Sequence, residues 1–303
     1  MAEFLTSGPP TGPGHSGATV PDLHRLPRAI ALTGAAYSLA TTTARRGPTP
    51  VRKVSIIGIG AGDPEHVTVQ AVRALNAVDV FFVVTKGTEQ QELVDLRTEV
   101  LERYVDKPTY RVVEVRDPER ERGATAPEQR AAVAAWRAAR AEQYGALIRD
   151  ELGEEGHGAF LAWGDPTLYE STLTIVADLA ARADVAFDYE VVPGISAVSA
   201  LAARHRIPLN RVGGAVQVTT GRRLAAGLPS DADDVVVMLD PSCTFREVAG
   251  EGVDIYWGAY LGTPDETLVS GPVTEVGDEI ERVRAREKER KGWIFDTYLL
   301  RRK

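Results

Sequence analysis

From Val51 onward, eight short runs rich in apolar, β-branched and aromatic residues alternate with segments of helical periodicity. That alternation constrains the fold more than any other feature. The runs read VSIIGI, VDVFFVV, YRVVEV, GAFLAW, YEVV, AVQVTT, VVVML and DIYWGAYLG. Between them, helices are predicted over Thr68–Asn76, Glu89–Tyr104, Glu128–Asp150, Leu168–Ala183 and Ser196–Ala203. Strands that are apolar on both faces need helices above and below them, so the pattern predicts an α/β fold. After about Asn210 the helical segments shorten and the strands crowd together, which predicts a second α/β domain with a mixed sheet. The expected division is 51–165 for the first domain and 166–303 for the second, with the hinge in WGDPTLY.

Residues 1–50 differ from the rest. Stretches such as TSGPPTGPGHSGATVP and TTTARRGPTP hold too little apolar surface to offset chain entropy, so a disordered tail is expected there. The run HRLPRAIALTGAAYSLATTT lies too far from Met1, and is too interrupted, for an export signal. No run approaches the roughly 18 apolar residues of a membrane span. The net charge of -8 argues against a nucleic-acid binder. The five histidines and single cysteine, Cys243, show no metal-ligand spacing, so no metal is expected. One cysteine also excludes an internal disulfide framework and suits a reducing, cytoplasmic compartment.

Three strand-end turns carry the chemistry. In GIGAGDP, Gly58, Gly60 and Gly62 follow an apolar strand, and Asp63 stands where a dinucleotide-binding loop would carry its third glycine. An acid there would repel a pyrophosphate, which disfavours a nicotinamide-dependent oxidoreductase. GDPTLY repeats the device around Gly164 and Asp165, and VPGISA places Ser196 before a helix. Asp63, Thr68 and Ser196 also read as helix caps. Ligands of open α/β sheets bind outside the carboxyl ends of strands. Three such turns predict one crevice, and the two acids predict a neutral or cationic guest.

Taken in order, GIGAGDP, GDPTLY, VPGISA, VVVMLD and YWGAYLGTPDETLVSG resemble the tetrapyrrole methylase family over roughly Val51 to Arg301. The stretches RDPERERG, AWGDPTLYEST and GWIFDTYLLRR are most similar to its deacetylating branch. Two departures stand out: Ala61 where many members carry proline, and Trp163 where they carry a second glycine.

The resemblance implies two α/β domains with the active site in the cleft between them. It also implies S-adenosylmethionine as methyl donor, a homodimer, and a large polyanionic tetrapyrrole as substrate. The implied reaction is C-methylation of precorrin-5 at ring carbon 1 with release of acetate. A methyl acceptor at another tetrapyrrole position is the alternative, with the disfavoured NAD-dependent oxidoreductase behind it. Implied donor contacts are Gly60, Ala61, Gly62, Trp163, Gly164, Asp165, Leu168, Ser196, Ala197, Met238, Gly258 and Ala259. Asp165 and Tyr169 are the implied catalytic residues, with Tyr169, Glu170 and Asp240 open as the base for acetate release. An acidic protein must concentrate positive charge locally to hold carboxylates, and arginine binds them bidentately. Arg116, Arg120, Arg122 and Arg222 are the expected substrate contacts, with the ARHRIPLNR cluster in reserve. The charges of KERKGW and the terminal RRK are expected at the surface.

Overall fold

The computed structural model describes residues 52–85, 91–119, 121, 125–182 and 184–303. The expected tail, Arg120 and Arg122 lie outside them. Both sheets belong to one compact unit spanning residues 48–303.

The first sheet is wholly parallel. Strands β1 (Arg52–Gly58), β2 (Val80–Thr85), β3 (Arg111–Arg116), β4 (His157–Ala162) and β5 (Phe187–Val192) run in the order β3-β2-β4-β1-β5. The apolar β1 and β4 are central and pair from Lys53↔His157 to Gly58↔Ala162. The charged β3, RVVEVR, takes an edge, where one side of a strand can face water. Successive side chains point to opposite faces. Val54, Ile56, Val80, Phe82 and Phe160 therefore pack on one side, with α3 (Ala126–Glu151) and α4 (Thr172–Arg182). Ile57, Phe81, Ala159 and Leu161 pack on the other, with α1 (Val69–Leu75) and α2 (Gln91–Tyr104). Side-chain caps fix the helix starts. The Thr68 hydroxyl accepts from Ala71 N, and Thr125 and Glu128 form a reciprocal capping box at α3.

The second sheet is mixed, as the sequence implies. Strands β6 (Val216–Thr220), β7 (Asp234–Met238), β8 (Val253–Ala259), β9 (Thr267–Pro272) and β10 (Asp296–Arg302) run in the order β6-β7-β10-β8-β9. The β6–β7 pair is parallel and the other three are antiparallel. α5 (Ala197–His205) covers one face through Val198 and Leu201, packed with Val236 and Leu299. α6 (Gly221–Leu224) and α7 (Phe245–Val248) are single turns, and α8 (Val273–Lys291) covers the other face.

Four expectations need correction. The change of sheet falls between Val192 and Val216, later than the 165/166 division. WGDPTLY is a turn between β4 and α4 of the first sheet, not a hinge between domains. α4 begins at Thr172 rather than Leu168, because Tyr169 adopts a left-handed φ of 53° that a helix cannot include. The second domain carries a 19-residue helix, α8, which the sequence reading missed. Its buried residues Val273, Gly277, Ile280 and Glu287 form a narrow stripe among charged neighbours, too sparse to register as an apolar period.

The terminal charges are also not simply surface. The Lys291 side chain is only 6% exposed and bridges Glu92 at 2.6 Å and Asp265 at 2.5 Å, beside the Tyr260 and Trp293 rings. It thereby joins α2 of the first sheet to the second. Lys291→Ala should destabilise the fold by about 1–2 kcal/mol, since a desolvated cation–π contact alone can reach about 2 kcal/mol. The midpoint of urea unfolding checks this. Cys243 is buried, and burial pushes its thiol up to about 11. A thiol held protonated is a poor nucleophile. A disulfide dye at pH 8 should therefore label the native protein far more slowly than the urea-unfolded chain.

Candidate active site

The glycine turns after β1, β4 and β5 interlock at the carboxyl end of the first sheet. Gly60 and Gly164 exchange backbone hydrogen bonds, at 3.3 Å and 2.7 Å. A Cβ on Gly194 would run into the Gly164 carbonyl oxygen and lie 2.9 Å from Gly58. The glycines therefore let three turns touch one another. Asp165 completes the knot. One carboxylate oxygen accepts from Thr167 N and Oγ1, and the other from Gly194 N at 2.9 Å. Burial alone would raise this carboxyl, but those hydrogen bonds outweigh it and hold it below the usual carboxylate range.

A fourth turn closes on the first from the second sheet. A Cβ on Gly62 would meet the Leu261 carbonyl oxygen and lie 2.8 Å from Thr263 Cγ2. Ala61, Leu168, Ala197, Met238 and Leu261 belong to one apolar cluster with α5. Beside it opens a cleft of about 580 Å³, a usual size for a small-ligand site.

Five non-glycine residues have a left-handed φ among the described residues, and three of them line this cleft: Tyr169 at 53°, Leu239 at 54° and Tyr260 at 50°. Such conformations cost of order 1–3 kcal/mol each and gather at ligand sites. Tyr169, Leu239 and Phe295 are large apolar or aromatic residues left exposed along the walls. Trp163 meets Phe295 at 6.0 Å with the rings tilted by 60°, and Phe295 meets Trp293 edge-on at 5.0 Å, so an aromatic row crosses from one sheet to the other.

Eight of the expected residues line the cleft: Ala61, Trp163, Leu168, Tyr169, Glu170, Ala197, Met238 and Asp240. Gly60, Gly62, Gly164 and Asp165 hold the turns beneath it. Ser196 caps α5, accepting from Ser199 N at 3.3 Å. Gly258 and Ala259 are buried in β8, and the wall is made one residue further on by Tyr260 and Leu261. The expected carboxylate-binding arginines fare worse. Arg116 is exposed at the end of β3, 3.5 Å from Glu119, and Arg222 is exposed on α6. Most of the ARHRIPLNR cluster is spent on structure: Arg204 pairs with Glu266, His205 Nε2 contacts the Trp257 carbonyl at 3.0 Å, and Arg211 reaches Asp233 and Asp234, while Arg206 is exposed.

Sequence reasoning missed the wall formed by Trp293–Thr297, with Arg284 and Lys288 of α8. The signal was the aromatic density of GWIFDTY before the last strand. It also missed a second, polar cavity of about 340 Å³ that shares Trp163, Tyr169 and Glu170 with the cleft and contains Arg97 and Arg140. Asp240 lies at the cleft edge with its carboxylate saturated. It accepts from Ser242 N, Thr244 N, Thr244 Oγ1 and the Tyr298 hydroxyl. Among the described residues no group of three or more His, Cys, Asp or Glu is placed to hold a metal ion, and no helix is long and apolar enough to cross a membrane.

The family model for tetrapyrrole (corrin/porphyrin) methylases matches residues 53–277, which hold the first sheet, all four turns and every strand of the second sheet but β10. The chain belongs to the tetrapyrrole methylases. It is 50% identical over 252 residues to precorrin-6A synthase (deacetylating) of Sinorhizobium sp, covering 83% of this chain and 96% of that methylase. The crystal structure of a cobalamin synthesis related protein, CobF, from Corynebacterium diphtheriae is similar at a TM-score of 0.72 and 35% identity, over 83% of this chain and 99% of that one. A uroporphyrin-III-C-methyltransferase from Thermus thermophilus shares the fold at a TM-score of 0.52 and 23% identity, over 82% and 92% of the two chains.

Proposed function

We propose that this tetrapyrrole methylase transfers a methyl group from S-adenosylmethionine to ring carbon 1 of precorrin-5, with release of acetate, to give precorrin-6A. The observation that carries the reading is the 50% identity to the deacetylating synthase over nearly that whole protein. The cleft suits the donor. When bound, S-adenosylmethionine supplies an electrophilic methyl group on a cationic sulfur. Apolar walls at Met238, Leu239 and Ala61 fit its adenine and ribose carbons. Ala197 and Leu168 complete the donor side, with Gly60, Gly62, Gly164, Asp165 and Ser196 acting from beneath as positioning residues.

The protein's main contribution is alignment. Well-oriented partners gain roughly 7–11 kcal/mol over free encounter, and no covalent nucleophile is required. The aromatic row from Trp163 to Trp293 offers apolar contacts to a conjugated substrate. Arg97, Lys288 and the exposed Arg116 and Arg222 are the available cations for its carboxylates. The expected homodimer and cytoplasmic location belong to the same reading and rest on the family likeness.

Incubation with a precorrin-5-generating system and methyl-labelled donor tests the reaction. One label per product and one acetate per turnover are expected by mass spectrometry. Label without acetate would redirect the assignment to another acceptor position.

A further inference from the structure

We propose that Glu170 is the general base of the acetate-releasing step, a reading that rests on the deacetylating function above. Glu170 lines both the donor cleft and the adjoining polar cavity, as a group handling a substrate that spans the two must. Its carboxylate is half used. Oε1 accepts from Thr172 N at 2.9 Å and Thr172 Oγ1 at 2.8 Å, at the start of α4, while Oε2 has no hydrogen-bond partner among the described residues.

The segment around it is held on both sides. Tyr169 is left-handed and its hydroxyl donates to the Val218 carbonyl at 3.4 Å. Ser171 Oγ accepts from Arg140 Nη1 at 2.7 Å, and Arg140 is itself ion-paired with the buried Asp117 at 2.7 Å. Glu170 is thus a fixed carboxylate with one open oxygen. The other two candidates are committed: Asp240 has four donors on its carboxylate, and the Tyr169 hydroxyl is turned to a backbone carbonyl.

The same polar cavity supplies a cation. Arg97 donates to the Leu93 and Leu161 carbonyls, and among the described residues it makes no ion pair. Burial pushes the Arg97 guanidinium down, and the charge of Glu170 opposes that shift, so the two groups sense each other. A cation so placed stabilises an oxygen that turns negative.

The step balances without any further reagent. A water O–H bond breaks, its proton goes to Glu170 Oε2, and its oxygen bonds to the acyl carbon. The bond from acyl carbon to ring carbon then breaks and acetic acid leaves. The electron pair stays on the ring carbon, within the conjugated system, where the methyl group bonds.

Glu170→Gln tests this. The amide oxygen can still accept from Thr172, so the unfolding midpoint should stay unchanged. Acetate release should fall by about 10²–10⁴-fold. The acidic limb in the pH profile of native acetate release should vanish in the variant. A fall of less than about tenfold, or an acidic limb that persists, would overturn the assignment of Glu170 alone. If the native protein itself releases no acetate from precorrin-5, the functional reading falls and the assignment with it.

Discussion

Gly194→Ala is expected to destabilise the protein by about 3 kcal/mol, at the top of the range for inserting a methyl group into a close-packed site. The cost is high because the neighbours cannot yield. The new Cβ would meet the Gly164 carbonyl oxygen and sit 2.9 Å from Gly58, and both are main-chain atoms at the ends of central strands. Relief would require parting the turns after β1, β4 and β5, which the Gly60–Gly164 hydrogen bonds and the Asp165 staple hold together. For a chain of this size, 1 kcal/mol shifts the melting temperature by roughly 2–4 °C, so a drop of about 6–12 °C is expected by calorimetry. Gly153→Ala is the control. A Cβ there meets nothing within 4 Å, and a change of less than about 0.5 kcal/mol is expected.

Asp296→Ala should cost about 3–5 kcal/mol, the range for removing one partner of a buried ion pair. Asp296 accepts from Arg284 Nε at 2.9 Å and from Trp257 Nε1 at 3.0 Å. The side chains of Arg284 and Asp296 are only 12% and 9% exposed. Burial pushes the Asp296 carboxyl up against the pull of Arg284, so the pair is held in place at a cost and neither charge tolerates being alone. Arg284 also donates to the Asp240 and Pro241 carbonyls, so its release would loosen the strand-end turn beside Leu239 on the cleft wall. The double variant Asp296→Leu with Arg284→Met should recover part of the loss, since no unpaired charge remains. Chemical denaturation of the three proteins measures the difference.

Much of this architecture could be read from residues alone. Unbroken burial along β1, β2 and β4 follows from apolar runs that are hydrophobic on both faces, and the glycine-rich turns at their ends announced a shared crevice. The purpose of the glycines was not legible. Sequence shows that backbone comes close to something; only the structure shows that Gly194 meets Gly164 and that Gly62 meets Leu261. Asp165 misled for the same reason, since a carboxylate that staples two turns looks in sequence like one open to a cation. Arginine clusters were the poorest guide. RDPERERG and ARHRIPLNR drew attention by density, yet Arg204 and Arg211 serve ion pairs. Of the cations beside the cavities, Arg97 stands apart from other arginines in α2, while Arg140 and Arg284 are hidden among the other basic residues of α3 and α8. α8 escaped because its buried stripe is one residue wide.

The central claim is that the cleft beside Ala197 and Met238 is the methyl-donor site. Calorimetric titration with S-adenosylhomocysteine, the demethylated donor, tests it most directly on the native protein and on Ala197→Trp. Ala197 opens α5 and lines the cleft, so an indole there fills the space without breaking a cap. One molecule bound per native chain, and at least about a hundredfold weaker binding to a variant that still unfolds cooperatively, are expected; that loss corresponds to about 2.7 kcal/mol. A native chain that binds no S-adenosylhomocysteine, or a variant that binds it as tightly as the native chain, would contradict the account.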